Sequence, residues 1–222
     1  MAGEKINLDY ITEYLHTLFP QNNPILAEME QYAKENAVPI VHPEVRALLT
    51  FLCKLHKPKR ILEIGTAIGY SAAVFAENLS AGGRVISIER DKDMTSLALC
   101  NIEKLRLSGK IRVIEGEALE VLPCLEKQFD LVFIDAAKGY YHEFFDLTLP
   151  LVHSGGLIVS DNVLYKGMTA EDSLVPRRQK TIVGRMRDYL TLLCTHENLT
   201  TSVLPVGDGV ALSYVEKGEI KL

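Results

Sequence analysis

Short apolar runs alternate with longer stretches of helical period through most of the chain. The runs are Ile61–Ile64, Val85–Ile88, Ile111–Ile114, Leu131–Ile134 and Leu157–Val159. Each is brief and uniformly apolar, the pattern of a strand buried on both faces of a parallel sheet. The intervening stretches, Asp91–Leu107 and Tyr140–Leu149 among them, would cover those faces as helices in right-handed crossovers. Ahead of this alternation, residues 7–19 and 24–36 read as amphipathic helices split by Pro20-Gln21-Asn22-Asn23-Pro24. A third helix is expected from Pro43 to His56, broken by Lys57-Pro58-Lys59-Arg60. Residues 176–196 read as a last helix. Thr201–Pro205 and Val210–Val215 then read as two strands reversed through Gly207-Asp208-Gly209. The expected fold is α/β: a mostly parallel, seven-stranded sheet, an antiparallel C-terminal hairpin and N-terminal helices.

The segment Ile61-Leu62-Glu63-Ile64-Gly65-Thr66-Ala67-Ile68-Gly69-Tyr70-Ser71 runs from a buried strand through a glycine turn into a helix. Gly65 lets the backbone reverse and a ligand approach, and Gly69 permits close helix–strand contact. In doubly wound sheets ligands lie just outside the carboxyl ends of the strands. The dinucleotide fingerprint G-x-G-x-x-G is absent because residue 67 is Ala. Glu63, two residues before the turn, is a poor neighbour for phosphate and suits a cationic ligand such as S-adenosylmethionine, which carries a sulfonium and an ammonium. Glu89 ends the next strand, 24 residues after Gly65, where a carboxylate can accept from both ribose hydroxyls. Its competing reading is an acid at a helix N-terminus. Glu117-Ala118 follows the third strand and either flanks the adenine or starts a helix.

Two further strand ends carry oxygen ligands, in Phe133-Ile134-Asp135-Ala136-Ala137-Lys138 and Val159-Ser160-Asp161-Asn162-Val163. Asp135, Asp161 and Asn162 would present two carboxylates and an amide oxygen at one rim. Such a hard, all-oxygen set suits Mg²⁺ or Ca²⁺, with Mn²⁺ an alternative, and not zinc. A cation there would stabilise the conjugate base of a bound hydroxyl. Lys138, near that cation, is a candidate general base, against the plainer reading of a solvated lysine.

Composition narrows the classes. With 222 residues, 47% of them hydrophobic and 24% charged, the chain suits one globular domain. A net charge of −5 argues against a generic polyanion binder. Cys53, Cys100, Cys124 and Cys194 show no zinc-ligand spacing and read as small buried thiols. No charged leader with an apolar stretch opens the sequence, and no apolar run approaches the ~20 residues of a membrane span. The expected location is the cytoplasm.

Together, Glu63-Ile64-Gly65 with Gly69-Tyr70-Ser71, Glu89, Asp135-Ala136-Ala137-Lys138 and Asp161-Asn162 resemble the cation-dependent O-methyltransferases, which include catechol and caffeoyl-CoA O-methyltransferases. The resemblance runs from about Val38 to the C-terminus. It implies a Rossmann-like class I methyltransferase in one domain, residues 1–222. Residues 1–56 would form a helical lid or dimerisation segment and residues 57–222 the core. It implies S-adenosylmethionine bound by Val41, Glu63, Gly65, Tyr70, Ser71, Glu89, Glu117, Ala118 and Asp135. It further implies a metal at Asp135, Asp161 and Asn162, catalysis by Lys138 and Asp135, and a homodimer.

Ile61–Ala72, Phe133–Gly139, Asp161-Asn162-Val163-Leu164-Tyr165-Lys166-Gly167 and Val206-Gly207-Asp208-Gly209 are similar to one branch, the bacterial tRNA 5-hydroxyuridine methyltransferases. That similarity implies methylation of wobble 5-hydroxyuridine to 5-methoxyuridine. The substrate's hydroxyl and adjacent carbonyl could chelate a metal as a catechol does. Lys166, Arg177, Arg178, Lys180, Arg185 and Arg187 would then form a basic rim for the tRNA anticodon arm, or else an ordinary solvated helix face. The alternatives are an O-methyltransferase of small catechols or phenols, a cofactor-binding scaffold without catalysis, and a nicotinamide dehydrogenase. The intact Asp135, Lys138, Asp161 and Asn162 set argues against the scaffold, and Glu63 against the dehydrogenase.

Overall fold

The structure, a computed structural model, describes residues 6–21, 23–126 and 129–216. Asn22 in the expected N-terminal break and residues 1–5 and 217–222 of the expected domain lie outside that range. The chain packs as two compact units, residues 13–121 and residues 1–12 with 122–222.

Helix α1 (Asp9–Leu18) spans that boundary and has no buried residue. Within residues 13–121, α2 (Pro24–Glu35) starts where Asn23 caps it. The Asn23 side chain accepts from the Ile25 and Leu26 N–H groups, and Pro24 supplies a preset φ at the first position. Helix α3 (Pro43–His56) also opens on proline. It ends at Lys57, which adopts a left-handed φ of 54° and returns its N–H to Cys53 O. Pro58 then prevents the helix continuing.

Strand β1 (Arg60–Ile64), helix α4 (Tyr70–Asn78), strand β2 (Arg84–Glu89), helix α5 (Lys92–Lys104), strand β3 (Ile111–Glu115) and the single turn α6 (Ala118–Val121) complete this unit. β1 pairs with β2 and β2 with β3, all parallel, with Ile64 opposite Ile88 and Glu89 opposite Glu115. The carboxyl ends of these strands therefore align. Asp91 caps α5 by accepting from Asp93 and Met94 N–H.

In the second unit β4 (Phe129–Ile134) is followed by a 3₁₀ turn at Lys138–Tyr140, α7 (Tyr141–Thr148), β5 (Val152–Ser160), α8 (Lys180–Thr195), β6 (Leu199–Leu204) and β7 (Val210–Val215). β4 and β5 are parallel, β7 runs antiparallel to β5, and β6 antiparallel to β7. The structure thus has the expected α/β class, and among the described residues seven strands form the sheet, with antiparallel pairing only at the C-terminal pair.

β5 begins five residues earlier than its apolar run. Its pairing with β4 resumes at Val152 across an irregularity that holds Gly155 at φ 86°. A Cβ at Gly156 would meet Val152 Cγ1 at 2.5 Å, so only glycine fits this fold-back. The last long helix also differs. Arg177–Gln179 form a separate 3₁₀ turn ahead of α8, because Pro176 holds the preceding backbone extended.

Gly69 acts differently from the expected helix–strand contact. At φ 83° it brings its backbone against α5, where an added Cβ would stand 3.3 Å from Ala98 Cβ. Of the four cysteines only Cys53 is buried, and Cys100, Cys124 and Cys194 are exposed. The helical pattern around Cys100 and Cys194 placed them near apolar neighbours without fixing which face is covered. Burial pushes the Cys53 thiol up to about 12. Among the described residues no helix is long and apolar enough to cross a membrane.

Ellman's reagent should therefore titrate three thiols promptly in the native protein and a fourth only after denaturation. Prompt reaction of all four would refute the packing of α3.

Candidate active site

The two sets of expected site residues lie at strand carboxyl ends of the two units. In residues 13–121 the turn after β1 is braced from below. Glu63 is fully buried, and Ser87 Oγ of β2 donates to its carboxylate. Thr66 Oγ1 bonds the same serine oxygen. Ser87 has one hydroxyl proton and gives it to Glu63, so Thr66 is the donor in its own contact. This three-residue relay fixes the Glu63 carboxyl group directly under the glycine turn.

The turn closes with Gly69 N–H donating to Thr66 O at 2.8 Å and Gly65 N–H to Ile88 O at 3.0 Å. Asn101 Nδ2 of α5 donates to Ile68 O at 3.0 Å. Gly65 takes φ 99°, and Ala67, the residue that breaks the dinucleotide pattern, takes φ 45°. The left-handed alanine costs roughly 1–2 kcal/mol. Part of that is offset by Ala67 N–H donating to Glu89 Oε2 at 2.8 Å. Glu89 Oε1 accepts from Asp91 N–H at 2.9 Å, so the carboxylate at the end of β2 is oriented through both oxygens. Glu89 is half-buried, and each carboxylate oxygen keeps a further lone pair.

Other expected cofactor residues are distributed unevenly. Ser71, second in α4, and Val41, just before α3, are buried. Tyr70 is buried with its hydroxyl turned away to α2, donating to Glu30 and accepting from Gln21 Nε2 at 3.3 Å. Its side chain is therefore a tether for the N-terminal helices. Glu117 starts a helix: its carbonyl accepts from Glu120 and Val121 N–H, with Ala118 the first residue of α6. The Glu117 carboxylate is exposed and stands 3.8 Å from Arg90.

In the second unit Asp135 follows β4 and Asp161 follows β5, and Ile134 lies opposite Ser160 in the parallel register. Asp161 is 1% exposed. Its Oδ1 accepts from Asn162 N–H at 2.7 Å, while its buried Oδ2 has no hydrogen-bond partner. Burial first, and then the charge of Asp135, push the Asp161 carboxyl well above its usual range. The Asn162 N–H and the Lys138 ammonium pull the other way, and Asp208 adds to the rise.

Lys138 Nζ donates to Asn162 Oδ1 at 3.0 Å and lies 5.8 Å from the centre of the Tyr165 ring. An ammonium thus rests on the amide oxygen expected to face a metal. The buried acceptor of Asp161, its like-charged neighbour and this cation-facing amide fit a divalent ion. Among the described residues no group of three or more His, Cys, Asp or Glu is placed to hold a metal. The expected set, with two carboxylates and an amide, is of another kind.

Tyr141 of α7 is buried behind this strand end. Its hydroxyl donates to Asp161 O at 2.9 Å, and burial followed by the charges of Asp135 and Asp161 hold the phenol well above its usual range. It stays protonated and fixes the backbone that carries Asp161. Tyr189 of α8 packs edge-on against it and shares a 2.6 Å hydrogen bond with Ser160.

The loop after Asp161 is backed by the β6–β7 turn. Asn162, Tyr165, Lys166 and Gly167 take φ 57°, 45°, 57° and 78°. Among the predicted basic residues, Lys166, Arg177, Arg178, Lys180 and Arg185 are exposed. Arg185 also donates to Gly139 O at 2.7 Å, beside Lys138, and the half-buried Arg187 holds Thr169 O, Met168 O and Asp172. These two arginines brace the site's loops.

Residues 18–215 match the O-methyltransferase family. The chain is similar to the catechol O-methyltransferase of Niastella koreensis, at 32% identity over 206 residues, covering 88% of this chain and 91% of that protein. Its fold is similar to a Staphylococcus aureus crystal structure, with TM-score 0.85 at 35% identity, covering 93% of this chain and all of that one. A Bacillus cereus O-methyltransferase crystallised with SAH superposes with TM-score 0.83 at 28% identity, covering 93% and 97%.

Because the folded state holds a proton on Asp161 more tightly than the unfolded chain does, this group stabilises the chelator-treated protein at low pH. That stability is lost as pH rises through the raised value. In chelator at pH 8, Asp161→Asn should melt above the wild type, with the gap closing toward acid pH. Mg²⁺ should raise the melting temperature of the wild type alone. An equal Mg²⁺ response in both proteins would exclude Asp161 as a ligand.

Proposed function

The chain belongs to the O-methyltransferase family, whose solved members include S-adenosylmethionine- and S-adenosylhomocysteine-bound enzymes, and on that premise we propose that it methylates 5-hydroxyuridine at the tRNA wobble position. The product would be 5-methoxyuridine. The observation that carries the chemistry is the buried, unpartnered Asp161 Oδ2 beside Asp135, Asn162 and Lys138.

Asp135, Asp161 and Asn162 would hold a magnesium ion, with manganese or calcium as alternatives. When bound, the metal would lower the proton affinity of a chelating hydroxyl. S-adenosylmethionine would supply the methyl group. Its ribose suits Glu89, and its sulfonium and ammonium suit the Glu63 carboxyl group beneath the turn.

Lys138 is the proton acceptor in this reading. Its amine would accept the substrate's hydroxyl proton, leaving the substrate oxygen as the nucleophile for the methyl group that S-adenosylmethionine would supply. Tyr165, under the Lys138 side chain, limits how far that amine can swing.

The tRNA assignment rests on Lys166, Arg177, Arg178 and Lys180, exposed cations near the Asp161–Gly167 loop in sequence. Arg185 and Arg187 contribute less to that rim because carbonyl and carboxylate partners engage them. A homodimer belongs to the same proposal. Tyr10, Tyr14 and Leu18, exposed on α1, support an interface there. One observation favours a second reading, a small catechol-like acceptor: the 32% identity with a catechol O-methyltransferase.

Purified protein with Mg²⁺ and S-adenosylmethionine should convert 5-hydroxyuridine in tRNA to 5-methoxyuridine by nucleoside mass spectrometry, and methylate catechol poorly. Reversing charge at Arg177 and Arg178 should leave cofactor affinity intact and reduce the salt slope of tRNA binding by about 2. Efficient catechol methylation with untouched tRNA would replace this reading by the second.

A further inference from the structure

We propose that Asp208 is a positioning residue. From the turn between β6 and β7 it templates the loop Asn162–Gly167 and thereby places Asn162 and Lys138. The inference rests on the methyltransferase reading of this site but not on the identity of its acceptor.

Three backbone donors of the loop end on the turn. Val163 N–H donates to Gly209 O at 2.9 Å, Leu164 N–H to Asp208 O at 3.0 Å, and Lys166 N–H to Asp208 Oδ1. Only the last uses a side chain, so only residue 208 makes a contact that sequence can tune. The approach is close enough that a Cβ on Gly209 would stand 2.4 Å from Leu164 Cγ and 2.8 Å from Leu164 N. Gly209 therefore admits the loop, and Asp208 holds it.

What the loop is held in explains why a holder is needed. Tyr165 and Lys166 are consecutive left-handed non-glycine residues at φ 45° and 57°, a conformation that L side chains disfavour and that relaxes unless the surroundings impose it. Lys166 N–H is the donor at the centre of that pair. Releasing it would let the backbone of residues 165–166 return toward ordinary φ and swing the Tyr165 ring. That ring and Asn162 Oδ1 are the two groups that receive the Lys138 ammonium. A side chain outside the reacting set thus acts on the proton acceptor through one backbone hydrogen bond.

A carboxylate is not required for that task. The amide oxygen of Asn can accept the same N–H. If Asp208 instead works by its charge, which also reaches Asp161, Asn would not replace it.

Asp208→Ala and Asp208→Asn separate the cases in the full-length protein. The Ala variant should be nicked faster by trypsin at the Lys166–Gly167 bond, with unchanged nicking at Arg177, Arg178 and Lys180. Its kcat should fall about 10–100-fold with the KM for S-adenosylmethionine unchanged. The Asn variant should behave as wild type in both respects. Wild-type nicking at Lys166 in the Ala variant overturns the proposal, and so does an Asn variant as impaired as Ala. The proteolysis needs no methyl acceptor: normal nicking refutes the positioning role, whereas inactivity of the wild type toward tRNA refutes only the acceptor assignment.

Discussion

Two carboxyl groups held at the neighbouring ends of β4 and β5 are the constraint around which the second unit is built. Asp135 and Asp161 would separate if they could, since each raises the cost of ionising the other. They cannot, because the parallel register pairs Ile134 with Ser160 and Tyr141 pins the Asp161 carbonyl. The remedy lies in cations: Lys138 on Asn162 Oδ1, and a divalent ion in the proposed enzyme. A buried carboxylate beside a second acid costs stability unless a cation offsets it.

The glycine turn answers a different problem. There the protein fixes one carboxylate beneath a reversing backbone and another beside it, using hydroxyl and N–H donors from two strands. Ser87 and Thr66 keep Glu63 hydrogen-bonded in a dry environment, and Glu89 accepts two backbone N–H groups. Carboxyl groups at that turn favour a ligand with positive charge and no phosphate. This is consistent with the SAH- and SAM-bound structures among similar proteins.

Several residues that look like surface recognition groups in one dimension turn out to be braces. Arg185 and Arg187 share α8 with the exposed Lys180, yet their guanidinium groups satisfy loop carbonyls. Arginine suits this because its rigid fork can serve two acceptors at once, which a lysine point charge does not. Tyr70 is a similar case, an aromatic beside the cofactor turn whose hydroxyl faces Glu30. Such tethers connect the site to elements that have no chemistry of their own.

The class of fold was legible from one dimension, and so were candidate residues for chemistry, for reasons of periodicity and residue type. Runs buried on both faces announce parallel strands, and strand ends are where ligands meet side chains, so Glu63, Glu89, Asp135, Lys138, Asp161 and Asn162 stood out by position and type. Tertiary structure alone decided what each of them touches. No spacing rule shows that Ser87 reaches Glu63 from β2, that Tyr141 holds the Asp161 carbonyl from α7, or that Asp208 receives Lys166 N–H from 42 residues away. It also decided which cysteine is buried and that β5 begins at Val152, ahead of Gly155 and Gly156. Local pattern records which face a residue prefers, while partnership across elements depends on how separate segments are brought together, and that is set by the packing of the whole fold.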